Sequence, residues 1–316
     1  MTPRSIHTLR IAGRGVPLGE RTLIMGVLNV TPDSFSDGGL YLDSKTAVEH
    51  GLEMARQGAD WIDVGGESTR PGSQPVKPEE EIERVLPVIR GLHRRAPELP
   101  ISIDTTKALV AQEAVRAGAT IINDVSGLRF DVGLADVARR QRTPLVLMHM
   151  RGQPRTMQQQ PFAKSIARSL GRGLAWSVQR ALARGVARSQ IVIDPGLGFG
   201  KTRRQNFEIM AALGRLRRFE LPILVGSSRK SFVQAVAAGE PLDPREGKGR
   251  SRGPWKLMSA GHSSAEPPLA LQIGDAAALV ALILGGAHVV RVHDVAAMIP
   301  AVRIADAIRQ AGTSLE

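Results

Sequence analysis

Three segments of the chain share one design: Gly58-Ala-Asp-Trp-Ile-Asp63, Gly118-Ala-Thr-Ile-Ile-Asn123 and Gly286-Ala-His-Val-Val-Arg291. Each follows a stretch with helical apolar spacing, such as Val48, Leu52, Ala55 and Ala59. Glycine ends a helix because it takes the left-handed cap without steric cost. A short β-branched strand follows and finishes on a polar residue. Apolar runs at 23–28, 101–103, 145–148, 191–193 and 221–225 keep the same rhythm. Runs without polar alternation are buried on both faces, as in a parallel sheet covered by helices. Eight such units are the number that closes a (β/α)8 TIM barrel. The expected fold class is therefore α/β, a TIM barrel forming a single domain over residues 1–316. An open doubly wound sheet is the alternative.

The ends of the eight runs carry Asn29, Asp63, Asp104, Asn123, His149, Asp194, Ser227 and Arg291. In a parallel barrel all carboxyl ends share one rim, where active sites are built. Groups far apart in sequence should meet there. The competing reading, that polar residues merely open loops, suits Asp63 best. For Asp104 it takes the form of a cap on a helix starting near Lys107.

Composition narrows the function classes. The chain lacks cysteine, which excludes disulfides, thiolate metal sites and a cysteine nucleophile and suits a reducing cytoplasm. No apolar run approaches the ~20 residues that span a bilayer, and residues 1–14 lack a signal-peptide core. The expectation is a soluble, cytoplasmic protein with no membrane partner. The net charge is +12. Its arginines are spread along helix patterns rather than gathered in a stripe, and aromatics make up only 3%. Single-stranded nucleic acid would want more stacking surface. A solvated basic surface that attracts an anionic substrate is the better reading, with no nucleic-acid partner. Residues 241–268 are rich in Gly, Pro, Ser, Lys and Arg without an apolar face. They read as a mobile insertion between a short helix at 231–238 and a helix at 271–284.

Several loops carry polar motifs. Asn29-Val-Thr-Pro-Asp-Ser-Phe-Ser-Asp-Gly-Gly39 leaves the first run with one aromatic, Phe35, and Gly65-Gly-Glu-Ser-Thr-Arg-Pro-Gly72 leaves the second with Arg70. Asp194-Pro-Gly-Leu-Gly-Phe-Gly-Lys201 lacks the spacing of a nucleotide P-loop and reads as a turn. Gly226-Ser-Ser-Arg-Lys-Ser-Phe232 opens a helix directly after a strand, where backbone N–H groups receive anions. His149 reads as a structural histidine at a strand end.

Together with Ile103-Asp-Thr105, Ile122-Asn-Asp-Val-Ser-Gly127 and Arg291-Val-His-Asp294, these motifs closely resemble the dihydropteroate synthase family. The resemblance runs from Leu23 to Ala307 apart from the insertion. It implies condensation of 6-hydroxymethyl-7,8-dihydropterin pyrophosphate with p-aminobenzoate, giving 7,8-dihydropteroate and pyrophosphate. The transfer is of an alkyl group, by dissociative C–O cleavage. The implied cofactor is Mg2+, held near Asn29, and the implied assembly is a homodimer. Asp104, Asn123, Asp194 and Lys230 would bind the pterin. Arg291 and His293 would meet the pyrophosphate. Phe35, Thr69, Arg70, Pro71 and Ser231 would serve p-aminobenzoate. Asp104, Lys230, Arg291 and His293 make up the implied catalytic set.

One departure stands out. Gly274-Asp275 replaces the family's usual Gly-Thr pair, which puts packing of that helix and the dimer contact in question while leaving the implied catalytic set intact. Rival readings are a pterin-binding methyltransferase-type barrel, a pterin-binding paralogue without turnover and a basic nucleic-acid binder.

Overall fold

The barrel strands are short and apolar, and each is separated from the next by a helix. β1 (His7–Ile11) and β2 (Arg14–Leu18) come first and pair antiparallel. β3 (Leu23–Asn29), β4 (Trp61–Gly65), β5 (Ile101–Asp104), β6 (Ile121–Asp124), β7 (Leu145–Met148), β8 (Ile191–Asp194), β9 (Leu224–Val225) and β10 (Val289–Val292) follow. The computed structural model describes residues 2–31, 39–68, 73–153, 156–157, 163–243 and 269–313. Phe35, Thr69, Arg70 and Pro71 lie outside the described residues, as do residues 244–268 of the expected insertion.

The last eight strands form one parallel sheet in the order β8-β7-β6-β5-β4-β3-β10-β9. Its two ends meet through a parallel bridge between Ile193 and Ile223, with the Ile193 N–H donating to the Pro222 carbonyl at 3.0 Å. The sheet therefore closes, as a TIM barrel does and an open doubly wound sheet does not. The seam strand β9 is only two residues long, shorter than the apolar run 221–225 suggested.

Helices α1 (Gly39–Arg56), α2 (Pro78–Arg95), α3 (Ala108–Ala117), α4 (Gly133–Gln141), α5 (Ile166–Ala183), α6 (Arg203–Ala211), α7 (Ser231–Ala237), α8 (Leu269–Leu284) and α9 (Val295–Thr313) surround the strands. One apolar layer fills the space between strands and helices, with Ile62, Val64, Ile103, Ile122, Leu147 and Ile193 all buried in it. A second lies inside the barrel and includes Met25, Trp61, Ile121, Val146, Val192, Leu224 and Val289. The hairpin of β1 and β2, which the strand rhythm does not reveal, contributes Leu9, Ile11 and Leu18 to this inner cluster. Its turn uses Ala12 and Gly13 at φ 49 and 81, as a two-residue turn matched to strand twist requires. The hairpin plugs one end of the barrel, and the chemistry is left to the other.

Strand periodicity then dictates what stands above the plug. Side chains two apart share a face, and barrel interiors are built in layers of four from alternate strands. Trp61, Ile121, Val192 and Val289 come from β4, β6, β8 and β10. Two residues onward on the same strands stand Asp63, Asn123, Asp194 and Arg291. The apolar interior gives way in one step to a layer of two acids, an amide and a guanidinium.

Candidate active site

This polar layer is held together by direct bonds. Arg291 donates through Nε to Oδ2 of Asp63 at 2.7 Å and through Nη2 to Oδ2 of Asp104 at 2.9 Å. Asn123 Nδ2 donates to the same Asp63 oxygen at 3.0 Å. Asp63 is fully buried, and its other oxygen, Oδ1, has no hydrogen-bond partner. The hydroxyls of Ser102 and Ser227 are buried and unpartnered too. Gathered in one layer, such unsatisfied groups leave acceptors and donors for a ligand or water to complete.

The structure corrects two readings. Asp63 does not open a loop: β4 continues to Gly65, so its side chain sits inside the barrel as the hub of the cluster. Asp104 does not cap the next helix. The N–H of Ala108 at the start of α3 donates to Oδ2 of Asp131 at 2.7 Å, which leaves Asp104 to Arg291. Burial and the Asp63 charge push the Asp104 carboxyl up from its usual range, with Arg291 pulling it back down.

Asp194 ends β8 and is buried, its Oδ1 accepting the Gly196 N–H at 2.6 Å. Burial raises it to about 6, against the opposing pull of that N–H and of Lys230, Lys201 and Arg291. Lys230 directly precedes α7, and its ammonium lies 4.3 Å from the centre of the Phe199 ring. A Cβ on Gly198 would come within 3.2 Å of the Lys230 stem, so that glycine admits the lysine. His293 follows β10. Its N–H donates to Ser228 Oγ at 3.3 Å and its Nδ1 lies 3.2 Å from the same hydroxyl. Ser231 is the exposed first residue of α7.

Asn29 ends β3. A Cβ added to Gly65 would lie 3.9 Å from Asn29 Oδ1 and 3.5 Å from Asp104 Cβ, so Gly65 keeps a hollow open between them. Among the described residues no three His, Cys, Asp or Glu side chains converge to cage an ion. One amide oxygen beside an open hollow would supply at most a single ligand to a hydrated divalent cation.

Lys201, which the motif reading passed over, is fully buried. It donates to the carbonyls of His149, Gly196 and Phe199 at 3.0, 2.6 and 3.0 Å. Gly196, Gly198 and Gly200 all take positive φ, coiling the loop so that carbonyls turn onto the ammonium. Burial lowers Lys201 to about 7. His149 is buried beside it, and burial with the nearby cations lowers its imidazole to about 2. The loop after β4 has its own tether, because Lys107 pairs with both Glu67 and Glu81 while the Val76 N–H donates to Glu67 Oε1 at 3.3 Å.

A cavity of about 1320 Å3 lies elsewhere, on the flank between α5 and α6. Its lining includes Arg168, Arg172, Arg204, Arg215 and Arg218 but none of the polar-layer residues. The arginines that look scattered in sequence are partly gathered there by the fold. Convergence of four strands, rather than cavity size, locates the candidate site at the barrel mouth.

Comparison with known proteins agrees with this geometry. The family model for pterin binding enzymes matches residues 25–293. Dihydropteroate synthase from Synechocystis sp. is 41% identical over 290 residues, covering 92% of this chain and 91% of the relative. The Escherichia coli K12 enzyme of that name is 39% identical, covering 90% of each. Among solved structures, Xanthomonas albilineans dihydropteroate synthase with 4-aminobenzoic acid superposes with a TM-score of 0.80 at 37% identity, covering 96% of this chain and 99% of that one. The same organism's enzyme in complex with 7,8-dihydropteroate gives 0.76 at 35%, covering 96% and 98%. The chain belongs to the dihydropteroate synthase family of pterin-binding enzymes.

Proposed function

We propose that this enzyme joins the methylene carbon of a 6-hydroxymethyl-7,8-dihydropterin diphosphate to the amine of p-aminobenzoate, giving 7,8-dihydropteroate and pyrophosphate. The observation that carries the reading is the polar layer of Asp63, Asn123, Asp194 and Arg291 at the barrel mouth, in a chain of this family. A pterin presents an amide N–H and an amino group side by side, and one carboxylate accepts from both. Asp194 suits that edge, buried and already held by one backbone N–H. Asn123 and Asp104 would meet the remaining ring nitrogens, and Lys230 the ring acceptors. A ligand lacking those donors would leave buried charges unpaired, which makes the site selective.

The bond between the methylene carbon and oxygen breaks, and its electron pair leaves with the diphosphate. The pterin ring delocalises the positive charge, with the Asp104 carboxyl nearby to favour it. Arg291, through its remaining nitrogen, and His293, oriented by Ser228, would stabilise the departing anion. Mg2+, when bound through Asn29, would neutralise part of the same charge. The amine attacks, forms the C–N bond and releases one proton. Because an arylamine is neutral near pH 7, no general base is required of His149, whose imidazole burial and the nearby cations shift far down.

Phe35, Thr69, Arg70, Pro71 and Ser231 would position p-aminobenzoate, and closure of the loops after β3 and β4 would keep water from the cation. The anchoring of Glu67 by Lys107 gives the second loop a fixed stem. We also infer a homodimer formed through α8 and α9, supported by the exposed Leu269, Ile273, Ile304 and Ile308 on these two packed helices. No helix among the described residues is long and apolar enough to cross a membrane.

The test is pyrophosphate formation by the purified chain, measured with each substrate alone and with both. Equal yields of pyrophosphate and dihydropteroate, dependent on both substrates, are expected. Pterin binding without turnover would refute synthase activity.

A further inference from the structure

Arg229 stands in the left-handed region at φ 56, immediately before Lys230. A non-glycine residue there is strained and persists only where its surroundings over-determine it. Two bonds do so. The Lys230 N–H donates to the Ser227 carbonyl at 3.2 Å, closing the turn. The Arg229 N–H donates to Oδ2 of Asp275, 46 residues further on in α8, at 2.8 Å.

Asp275 is buried, and its second oxygen has no hydrogen-bond partner. Burial pushes the carboxyl up to about 6, while the Arg229 N–H and guanidinium pull it down. A half-satisfied carboxylate under a helix is a poor packing choice, since one N–H does not repay its desolvation. Its placement makes sense through what it holds. The turn from Ser227 to Lys230 carries Lys230 itself and also Ser228, whose hydroxyl meets both the N–H and Nδ1 of His293. Close approach of α8 is possible because Gly274 faces Ala237 of α7, where an added Cβ would come within 2.7 Å.

We propose that Asp275 is a positioning residue: by holding the Arg229 N–H it fixes the turn that aims Lys230 and, through Ser228, His293 at the barrel mouth. It touches no substrate. The inference rests on the reading of Lys230 and His293 as substrate-binding groups, so its test includes a measurement that does not depend on activity.

The full chain is compared with Asp275→Ala, Asp275→Asn and Asp275→Leu by three measurements. These are amide hydrogen exchange over residues 227–231, steady-state kinetics from pyrophosphate release, and thermal melting. Asp275→Ala should speed exchange at Arg229 and Lys230 and lower kcat/KM for the pterin diphosphate by about 10–100-fold, the scale of an ångström-level misplacement. Asp275→Asn keeps an oxygen that accepts from the same N–H and should restore both protection and kcat/KM to within about threefold. Asp275→Leu fills the space without an acceptor. It should melt no lower than the alanine variant yet stay as slow, which a merely structural role would not produce. Unchanged exchange in both Asp275→Ala and Asp275→Leu overturns the proposal whatever the activity. So does an asparagine variant that is protected but as slow as alanine. Should the wild-type chain form no pyrophosphate, the proposed function fails, while the exchange arm still decides whether Asp275 holds the turn.

Discussion

Replacing Arg291 with Met keeps an apolar stem in place and takes the guanidinium away from Asp63 and Asp104. Removing one partner of a buried ion pair costs about 3–5 kcal/mol, because the other is left charged and unpaired. Here solvent offers little relief: the Asp63 side chain is 0% exposed, Asp104 10% and Arg291 20%. Protonation does offer relief. Burial and the Asp63 charge already raise the Asp104 carboxyl, and Arg291 opposes that rise, so its removal lets Asp104 climb further. A carboxyl whose folded value lies above its unfolded value, about 3.9, binds more protons folded than unfolded. Stability from that group is intact at low pH and lost as pH rises through the folded value, by about 1.4 kcal/mol per pH unit. With the wild-type Asp104 carboxyl already raised to about 7, the deficit of Arg291→Met relative to wild type should be nearly the same at pH 5 and pH 6.5 and larger by about 1.4 kcal/mol at pH 8. Urea unfolding midpoints of both proteins at pH 5, 6.5 and 8 measure it. Adding Asp63→Asn and Asp104→Asn to the variant should recover most of the loss, since neither carboxylate is then left without its cation. A deficit that is flat with pH, or smaller at pH 8 than at pH 5, would refute the reasoning.

Asp194, raised to about 6 by burial, must be ionised to accept from a pterin edge. Pterin affinity should fall about tenfold per pH unit below that point, measured by calorimetry at pH 5, 6 and 7.5. Asp194→Asn should be weak and flat with pH, and equal wild-type affinities at pH 5 and 7.5 would contradict the assignment. Lys230→Ala should lower turnover by about 100-fold or more while melting within a few degrees of wild type. Near-normal pyrophosphate release would remove Lys230 from the site. Lys201→Met strips three buried carbonyls of their shared donor and should destabilise the fold by about 3 kcal/mol or more, read from the urea midpoint. Sulfonamides should compete with p-aminobenzoate, and inhibition that excess p-aminobenzoate does not relieve would argue against the placement of that substrate.

The strand–helix rhythm is legible because parallel strands buried on both faces leave unbroken apolar runs. Asn123, Asp194 and Arg291 are legible because each stands at the end of such a run. Asp63 stands on the same inner face but reads as a loop residue, since Gly65-Gly66 follows so closely. The pairing of Gly65 with Asn29 of β3 and with Asp104 of β5 shows that the strand runs past it. Where the period of two is continued from Trp61, Asp63 falls above it on that face, so the signal existed and was outweighed by glycine. β1 and β2 escape notice for a different reason. Their three inward residues, Leu9, Ile11 and Leu18, are too few to stand out from the exposed ones between them, and their purpose is supplied by the barrel end they plug. Lys201 and Asp275 had no local signal of their role. The lysine's partners include a carbonyl 52 residues away, and the aspartate's partner is a backbone N–H that any sequence would supply. Side-chain pairs between acids and bases can be guessed from residue type, whereas a side chain serving a backbone group is invisible until the chain is folded. That asymmetry explains why the Gly274-Asp275 departure, read from sequence as a matter of helix packing, turns out to lie one hydrogen bond from the turn that carries Lys230.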